Sequence, residues 1–247
     1  MTTVVDHACY VFGIVPAGER IPIAEERGFA GRVRLLELHG LGAVVASAPT
    51  DRPLGTADDL LTHDRVLAAI AVSGIPVLPM RFGAVLTDDA AVLTDLLEPH
   101  HDEFVAALER VRGCLQYTVT VRYEQDVVLR EVLADRPELE RLQERSRGGS
   151  EAAFRSKLQL GSAVVSALAE RRPADEAVVM SEVVDCVDVR LHEPASPEIV
   201  VQASFLVRSD DMEKFERSVE EVARVHSDRL RVRLVGPSPA YDFVGGD

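Results

Sequence analysis

The sequence is poor in positive charge, and in lysine above all. Lysine occurs only as Lys157 and Lys214, so arginine supplies nearly all of the 27 basic side chains. Acidic residues outnumber basic ones by 41 to 27, and the formal charge is −14. Because so negative a surface repels phosphate backbones and anionic lipid head groups, we expect neither nucleic acid nor a membrane as a partner.

Cysteines and long apolar runs are also scarce. The three cysteines, Cys9, Cys114 and Cys186, are too widely spaced for a metal-binding pair, and their odd number favours reduced thiols that pack as small apolar side chains. No segment approaches the ~20 consecutive apolar residues of a membrane-spanning helix. The first ten residues lack the basic region of an export signal. We therefore expect a cytoplasmic protein.

Motifs of catalysis and cofactor binding are absent from the sequence. It contains no phosphate-binding loop, dinucleotide fingerprint or HExxH motif. The adjacent His100 and His101 project from different sides of a helix and so do not form a metal pair. His63 has no serine or cysteine near it in sequence, which favours a structural helix histidine at the rim of a sheet. The sequence thus predicts no catalytic, cofactor-binding or metal-binding residue, and no enzyme.

The hydrophobic content is sufficient for one or two folded domains. Hydrophobic residues make up 47% of the 247 positions, and domains commonly contain about 100–150 residues. In the first half, a strand over residues 7–15 and two short strands around a glycine-containing turn precede a helix that Thr56 caps. A buried strand follows over 75–80. The next helix, Thr87–Val111, is interrupted at Pro99.

The second half begins with the clearest strand pattern in the chain. Residues 115–123 alternate, with one face made of Leu115, Tyr117, Val119, Val121 and Tyr123. A helical region then covers about 124–172, and its last helix ends at Pro173. The predicted apolar stripe of that helix is Phe154, Leu158, Val165 and Leu168. Two strands, a helix capped by Asp210 and a final strand over 231–236 follow, before a tail expected to be neither helix nor sheet.

This order of elements predicts an α+β protein with two domains. We expect residues 1–113 to form a modified ferredoxin-like domain with a trailing helix. Residues 114–247 are expected to form a ferredoxin-like (split βαβ) domain with a helical insertion at about 124–172 and a tail containing proline and aromatic residues. Each domain would have an antiparallel sheet with helices on one face.

Two segments are not explained by this fold prediction alone. The segment "PVLPMRFG", residues 76–83, places the permanently charged Arg81 within an otherwise apolar run. The segment "GPSPAYDFV", residues 236–244, combines two prolines with Tyr241 and Phe243. Such aromatic side chains are expected either to attach the tail to the protein or to present an anchor to a partner.

Three segments together resemble the gas vesicle protein F/L family, whose members are accessory proteins of bacterial and archaeal gas vesicle gene clusters. They are the opening strand "YVFGIV", the segment "HDRVLAAIAVSGIPVLPMRFGAVL" and the tail "GPSPAYDFV". Their order and spacing match from Tyr10 to Val244. The resemblance implies two α/β domains of ferredoxin-like topology, association with gas vesicles and a non-enzymatic role in their assembly.

The same resemblance implies which partners to expect. They are the small hydrophobic shell protein of the gas vesicle and other gas vesicle accessory proteins, with no cofactor and no small-molecule substrate. The alternative that we retain from the residues is a small-ligand-binding regulatory protein built from paired ferredoxin-like domains.

The two unexplained segments supply the candidate structural or partner-contact residues. These are Arg81, Phe82, Gly83, Pro237, Tyr241 and Phe243. We interpret Arg81 first as an internal brace, because its guanidinium has five donors that can join strand-end carbonyls and a carboxylate. The acceptors offered by the sequence are Glu37, Asp88 and Asp89. Contact with a partner is the second interpretation of Arg81.

Overall fold

The structure, a computed structural model, describes residues 8–22, 27–49, 51–184 and 186–244. The chain divides into two compact units. Unit 1 contains the residues up to 116 together with those from 236 onward, and unit 2 contains residues 117–235. The sequence-based division placed the junction after residue 113 and assigned the tail to the second domain, whereas here the tail belongs to unit 1. His7, where the first predicted strand begins, lies outside the described residues.

Unit 1 contains a main antiparallel sheet, a small hairpin and three helices. Its strands are β1 (Cys9–Pro16), β2 (Arg27–Gly28), β3 (Gly31–Arg32), β4 (Arg34–Leu38), β5 (Leu41–Ser47), β6 (Leu78–Pro79) and β7 (Val85–Leu86). Its helices are α1 (Ala57–Val72), α2 (Asp89–Ala91), which continues into π-helical turns over Val92–Leu97, and α3 (His101–Val111). The main sheet has the order β4–β5–β1–β6, and β7 also pairs with β1.

Strand β1 is the central strand of this sheet and is buried along almost its whole length. A Cβ atom at Gly13 would lie 2.7 Å from the Leu78 carbonyl oxygen and 2.9 Å from Leu67 Cδ2. Glycine at this position therefore allows β6 and α1 to approach the sheet closely. The core around β1 includes the fully buried Tyr10, Phe12, Val44, Val66, Leu67 and Ile70.

The helix boundaries in unit 1 follow local sequence signals. The Thr56 hydroxyl accepts a hydrogen bond from the Asp59 N–H, and the Asp59 carboxylate accepts one from the Thr56 N–H. This reciprocal pair is a capping box, so the predicted cap at Thr56 is confirmed. The predicted interruption near Pro99 is also confirmed, because the π-helical turns end at Leu97 and α3 begins at His101.

Unit 2 contains a four-stranded sheet and four helices. Its strands are β8 (Cys114–Tyr123), β9 (Asp188–Leu191), β10 (Ile199–Arg208) and β11 (Leu230–Ser238), in the order β11–β8–β10–β9. Its helices are α4 (Gln125–Asp135), α5 (Pro137–Arg145), α6 (Glu151–Glu182) and α7 (Met212–Val225). The predicted alternation of β8 is confirmed, because Tyr117, Val119, Val121 and Tyr123 are all buried.

Helix α6 differs from the prediction at its end and on its apolar face. Pro173 does not end the helix, which continues to Glu182. A proline inside a helix costs about 3 kcal/mol, but the turns that follow are attached to the sheet by the Asp175 carboxylate and by buried Val179. Of the predicted stripe only Leu168 is buried. The exposed remainder is Phe154, Leu158 and Val165.

The tail and α7 correct two smaller predictions. The tail is partly regular, because β11 continues through Ser238 and a 3₁₀ turn covers Tyr241–Phe243. Helix α7 begins at Met212, after a 3₁₀ turn at Ser209–Asp211, rather than directly after Asp210. The prediction of an α+β protein with antiparallel sheets is confirmed, whereas the ferredoxin-like assignment of each unit stays a prediction.

Candidate functional site

The segment "PVLPMRFG" forms a tight turn between two strands that both pair with β1. The Met80 N–H donates to the Phe12 carbonyl at 2.8 Å, and the Val11 N–H donates to the Ala84 carbonyl at 2.9 Å. Between these two bonds the Ala84 N–H donates to the Arg81 carbonyl at 3.2 Å. Gly83 has φ +93°, a left-handed conformation that glycine adopts without strain. The apolar part of the segment is therefore buried sheet, while Arg81 lies exposed at the turn.

Tyr10 connects this turn to helix α1. Its hydroxyl accepts a hydrogen bond from the Gly83 N–H at 3.2 Å and lies 2.8 Å from His63 Nδ1. The hydroxyl proton of Tyr10 is available to Nδ1, and which of the two groups donates depends on the imidazole tautomer. Burial raises the pKa of Tyr10 to about 12, so the phenol keeps this proton at neutral pH.

His63 is a buried, neutral side chain on α1. Its residue is 4% exposed, and burial lowers its pKa against the opposing effects of Asp64 and the Met80 backbone. Within the part of the chain that the structure describes, Nε2 makes no well-formed hydrogen bond, although the nearby Met80 backbone affects the pKa of the ring. The sequence places this histidine at the rim of a sheet, but its pairing with Tyr10, 53 positions away, could not be deduced from local spacing.

Phe82 is the outermost ring of an aromatic cluster. Its ring centroid lies 5.8 Å from that of His63, 6.2 Å from Tyr10 and 6.5 Å from Phe29. Behind it, Phe12 stacks with both Phe29 and His63. Contacts between offset or edge-to-face rings stabilise each pair by about 0.5–1.5 kcal/mol. The cluster therefore holds the half-buried Phe82 in a defined position at the surface of unit 1.

The tail brings Tyr241 to the same surface. The side chain of Gln116 holds the tail by two hydrogen bonds. Its Oε1 accepts from the Asp242 N–H at 2.9 Å, and its Nε2 donates to the Asp242 carboxylate at 2.7 Å. Phe243 is fully buried. The Tyr241 hydroxyl donates to Asp64 on α1 at 3.1 Å. Of the two tail aromatics, one is therefore part of the core and the other is half-buried beside α1.

Two depressions meet at these residues. The first has a volume of about 450 Å³ and is lined by Leu60, Leu61, His63, Asp64, Arg81, Phe82 and Tyr241. The second has a volume of about 510 Å³ and is lined by Pro79, Met80, Arg81, Phe82, Gly83, Ala84, Tyr241 and Val244. Three residues are common to both. We call the surface made by Leu60, Leu61, Arg81, Phe82 and Tyr241 the Arg81–Tyr241 surface.

This surface combines exposed apolar side chains with a free charge. Leu60 and Leu61 are 50% and 66% exposed. Within the described ranges, the guanidinium of Arg81 forms neither a hydrogen bond nor an ion pair. Large exposed apolar side chains that adjoin one another are typical of contact sites for other polypeptides.

Among the described residues, Arg81 does not make the bracing contacts that its sequence context predicts. The three carboxylates expected to accept from it are engaged elsewhere. Glu37 accepts from the Gly18 N–H, and Asp88 accepts from the Ala91 N–H. Asp89 forms a two-pronged ion pair with Arg34 at 2.6 and 2.7 Å. Arg34 thus connects β4 to α2 through Asp89, one of the three acceptors that the sequence offers to Arg81.

The six candidate residues are only partly brought together. Arg81, Phe82, Gly83 and Tyr241 line the depressions, although the two segments are far apart in sequence. Pro237 is exposed near the end of β11 and lines neither depression, and Phe243 is buried. The sequence analysis did not identify Leu60, Leu61 and His63 as site residues. The one sequence feature that could have indicated the first two is that they are adjacent leucines near the start of an amphipathic helix.

Among the described residues, the polar groups around this surface form pairs and no metal-binding cluster. In the described part of the chain, no group of three or more histidine, cysteine or acidic side chains could hold a metal ion. Among the same residues, no helix is both long and apolar enough to cross a membrane. The polar groups near Phe82 are occupied in pairs, Tyr10 with His63 and Tyr241 with Asp64.

Unit 2 has a depression of its own between α4, α6 and the sheet. It has a volume of about 250 Å³ and is lined by apolar side chains that include Val128, Val164 and Leu168. Small-molecule sites usually enclose about 300–1,000 Å³. This depression therefore gives the small-ligand alternative little support.

Comparison with known proteins places the chain in a class with the same two-unit α+β fold. The crystal structure of the gas vesicle protein GvpF from Anabaena sp. PCC7120 superposes with a TM-score of 0.80, covering 98% of this chain and 99% of that one at 20% identity. The GvpF structure from Microcystis aeruginosa gives a TM-score of 0.74, covering 96% and 99% at 19% identity. At these identities, the likeness concerns the fold.

The sequence comparisons identify the family. The family model described as gas vesicle synthesis protein GvpL/GvpF matches residues 8–245. Gas vesicle protein F of Streptomyces sp. (strain CB03234) is 34% identical over 242 residues, which cover 95% of this chain and 98% of the relative. Gas vesicle protein L2 of Halobacterium salinarum is 26% identical and covers 86% of this chain and 81% of the relative. The chain belongs to the GvpL/GvpF family of gas vesicle synthesis proteins, a family of accessory proteins not known as enzymes, which implies a role in gas vesicle formation.

Proposed function

We propose that this protein is a non-enzymatic accessory factor that binds the hydrophobic shell subunit while the gas vesicle forms, and that it does so through the Arg81–Tyr241 surface. The observation that carries the proposal is the convergence of residues 81–83 and Tyr241, from two remote segments, around two adjoining apolar depressions. The segments that contain residues 81–83 and Tyr241 are also two of the three that carry the resemblance to the family.

The surface has the properties needed to hold an apolar polypeptide. Leu60 and Leu61 offer exposed side chains on one edge, and Phe82 is fixed by the aromatic cluster behind it. Binding to a preorganised surface loses less conformational entropy than binding to a mobile one. The formal charge of −14 would keep the complex dispersed, because like-charged particles repel each other.

The test is a pull-down of the co-expressed shell subunit by the full-length protein. Leu61→Asp places a charge on the exposed apolar edge without removing a buried group, and we expect it to reduce the recovered shell subunit at least tenfold. Leu191→Asp is the matched control, since Leu191 is 57% exposed but lies in unit 2. Equal recovery by both variants and the wild type would exclude this surface as the binding site.

A second experiment tests the role in the host. Deletion of the gene should abolish gas-filled vesicles, and the wild-type gene should restore them. Complementation with Leu61→Asp should fail, whereas Leu191→Asp should succeed. Location on vesicles and contact with other accessory proteins are part of the same proposal, and co-purification with isolated vesicles measures both. Normal flotation of the deletion strain would contradict the proposed function as a whole.

A further inference from the structure

The guanidinium of Arg81, which has no partner among the residues that the structure describes, requires its own explanation. Arg81 lies exposed on the turn, and the carboxylates assigned to it by sequence pair with other groups. Asp64, the acidic residue lining the same depression, accepts from the Tyr241 hydroxyl. In a chain with 41 acidic and 27 basic residues, a free cation beside apolar walls is a specific feature of this surface.

We propose that the surface recognises an amphipathic polypeptide segment in which one carboxylate lies between two large apolar side chains, and that Arg81 binds that carboxylate. The inference rests on the proposed function, which identifies the partner as the shell subunit. It adds the chemical pattern that is recognised and the residue that selects it. Arg81 is then a specificity-determining residue at the interface.

The geometry supports this pattern in two ways. The depressions of about 450 and 510 Å³ share three lining residues, Arg81, Phe82 and Tyr241. Each depression can accept an apolar side chain, and Arg81 lines both of them. A guanidinium presents parallel N–H donors that match the two oxygens of a carboxylate, a pairing that supplies direction as well as charge.

The position of the turn is determined before any partner arrives. Tyr10 accepts the Gly83 N–H at 3.2 Å, and the Phe82 ring contacts His63 at 5.8 Å. The backbone on both sides of Arg81 is therefore fixed by contacts within unit 1. An arginine on a fixed turn beside large apolar side chains belongs to the residue types that dominate binding energy at protein interfaces, once a partner covers them and excludes water.

The experiment measures the affinity of the full-length protein for the shell subunit, kept soluble as a fusion to a carrier protein. Arg81→Glu should weaken binding by roughly tenfold to a hundredfold, because charge reversal replaces attraction by repulsion. Arg81→Lys should keep part of the affinity, since it retains the charge but not the two-pronged geometry. Arg110→Glu is the matched control: Arg110 is exposed on α3, lines neither depression and should bind as the wild type does.

A charge swap identifies the group that Arg81 binds. Each aspartate and glutamate of the shell subunit is replaced singly by arginine and tested against Arg81→Glu. We expect one replacement to raise the affinity of the shell subunit for Arg81→Glu at least tenfold. The same replacement should weaken its binding to the wild-type protein. If Arg81→Glu binds normally, or if no replacement rescues it, the carboxylate pattern is overturned.

The two proposals fail in different ways. If Leu61→Asp loses the shell subunit while Arg81→Glu keeps it, the binding surface stands and the carboxylate pattern is wrong. If both variants bind as the wild type does, the surface itself is wrong and the inference falls with it. Thermal denaturation of Arg81→Glu should match that of the wild type, which excludes misfolding as the cause of lost binding.

Discussion

Unit 1 and unit 2 attach their helices to their sheets by different chemistry. In unit 1, α1 packs on β1 through aliphatic side chains and the aromatic cluster. The ion pairs of unit 1 are at least partly exposed, as in Arg34–Asp89, where the side chains are 39% and 49% exposed. In unit 2, charged groups lie between the helices and the sheet and form a connected network.

The network in unit 2 is centred on Arg229, which immediately precedes β11. Its guanidinium donates to Asp175 of α6 at 2.7 Å and to Glu131 of α4 at 3.0 Å. Asp175 also accepts from the Tyr123 hydroxyl of β8 at 2.5 Å. Arg171 extends the network to Glu131 and Asp135. Because these contacts join four elements, they account for a helix α6 that continues beyond Pro173.

The difference indicates where function resides. All three sequence segments that carry the family resemblance lie in unit 1, including the tail. The same unit has the adjoining depressions around Phe82 and an unpaired arginine. In unit 2, the charges of the network satisfy one another and so have less to offer a partner. We therefore expect substitutions in unit 2 to act on stability and substitutions on the Arg81–Tyr241 surface to act on binding.

The largest effect on stability should come from the tail. Phe243→Ala removes a fully buried ring from unit 1, and Phe→Ala substitutions in cores cost about 3–5 kcal/mol in the free energy of unfolding. Urea denaturation measures the loss, and amide hydrogen exchange should show faster exchange up to residue 116 than in residues 117–235. Leu61→Ala, which shortens a 66% exposed side chain of the same unit, is the control. A loss below about 1 kcal/mol would contradict the assignment of the tail to unit 1.

The ionic network of unit 2 should give the next largest effect. Arg229→Met removes the guanidinium that pairs with Asp175, while Glu131 keeps its pair with Arg171. We expect a loss of about 1–3 kcal/mol because the Arg229 side chain is only partly exposed. Arg224→Met removes an exposed pair with Glu221 and should change stability by about 0.5 kcal/mol or less.

The same network should make stability depend on pH in a definite direction. Burial alone would raise the pKa of Asp175, but its hydrogen bonds from Arg229 and Tyr123 outweigh burial and hold that pKa below its ordinary value of 3.8. A carboxyl group with a lowered pKa stabilises the fold above its ordinary pKa, and the contribution is lost as the pH falls through the lowered value. The difference between wild type and Arg229→Met should therefore shrink in acid below about pH 4, and a constant difference would contradict this account.

In unit 1 the pH dependence should come from His63, in a higher range. Burial lowers the pKa of His63 from its ordinary value of 6.5, so the unfolded chain takes up its proton first. Stability is then fully present above about pH 6.5 and decreases as the pH falls below it. We expect the melting temperature to drop by a few degrees between pH 7 and pH 5. His63→Phe should flatten this drop.

His101 provides the control for that measurement. A hydrogen bond to Asp102 raises the pKa of His101, so its contribution has the opposite sign and is present at low pH. His101→Gln should therefore leave the acid drop intact or make it slightly steeper. If His63→Phe and His101→Gln had the same effect on the profile, the buried histidine would not be its source.

The smallest effects should distinguish Arg34 from Arg81. Arg34→Lys loses the two-pronged pair with Asp89 and should lower stability by about 0.5–1 kcal/mol, because the pair is partly exposed. Arg81→Lys should leave the melting temperature unchanged, since the Arg81 guanidinium has no partner within the described chain. A larger loss for Arg81→Lys than for Arg34→Lys would restore the brace interpretation.

Most of the fold was predictable because its signals are local. The cap at Thr56, the alternation of β8 and the interruption at Pro99 each depend on residues within a few positions of one another. The end of α6 was not predictable in this way. Pro173 is a local signal to stop, and the contacts that override it come from Arg229 and Tyr123, both about 50 positions away.

The sequence by itself determined the class of protein, its hydrophobic periodicities and the two segments that contribute to the proposed binding surface, because each is a property of neighbouring residues. Only the tertiary structure decided what Arg81 contacts, which tail aromatic is buried and which leucines line the surface. Those outcomes depend on distances between residues far apart in sequence, such as Tyr241 to Asp64 and Tyr10 to His63. The sequence does not show which carboxylate an arginine pairs with, and here Arg34 pairs with Asp89, one of the carboxylates expected for Arg81.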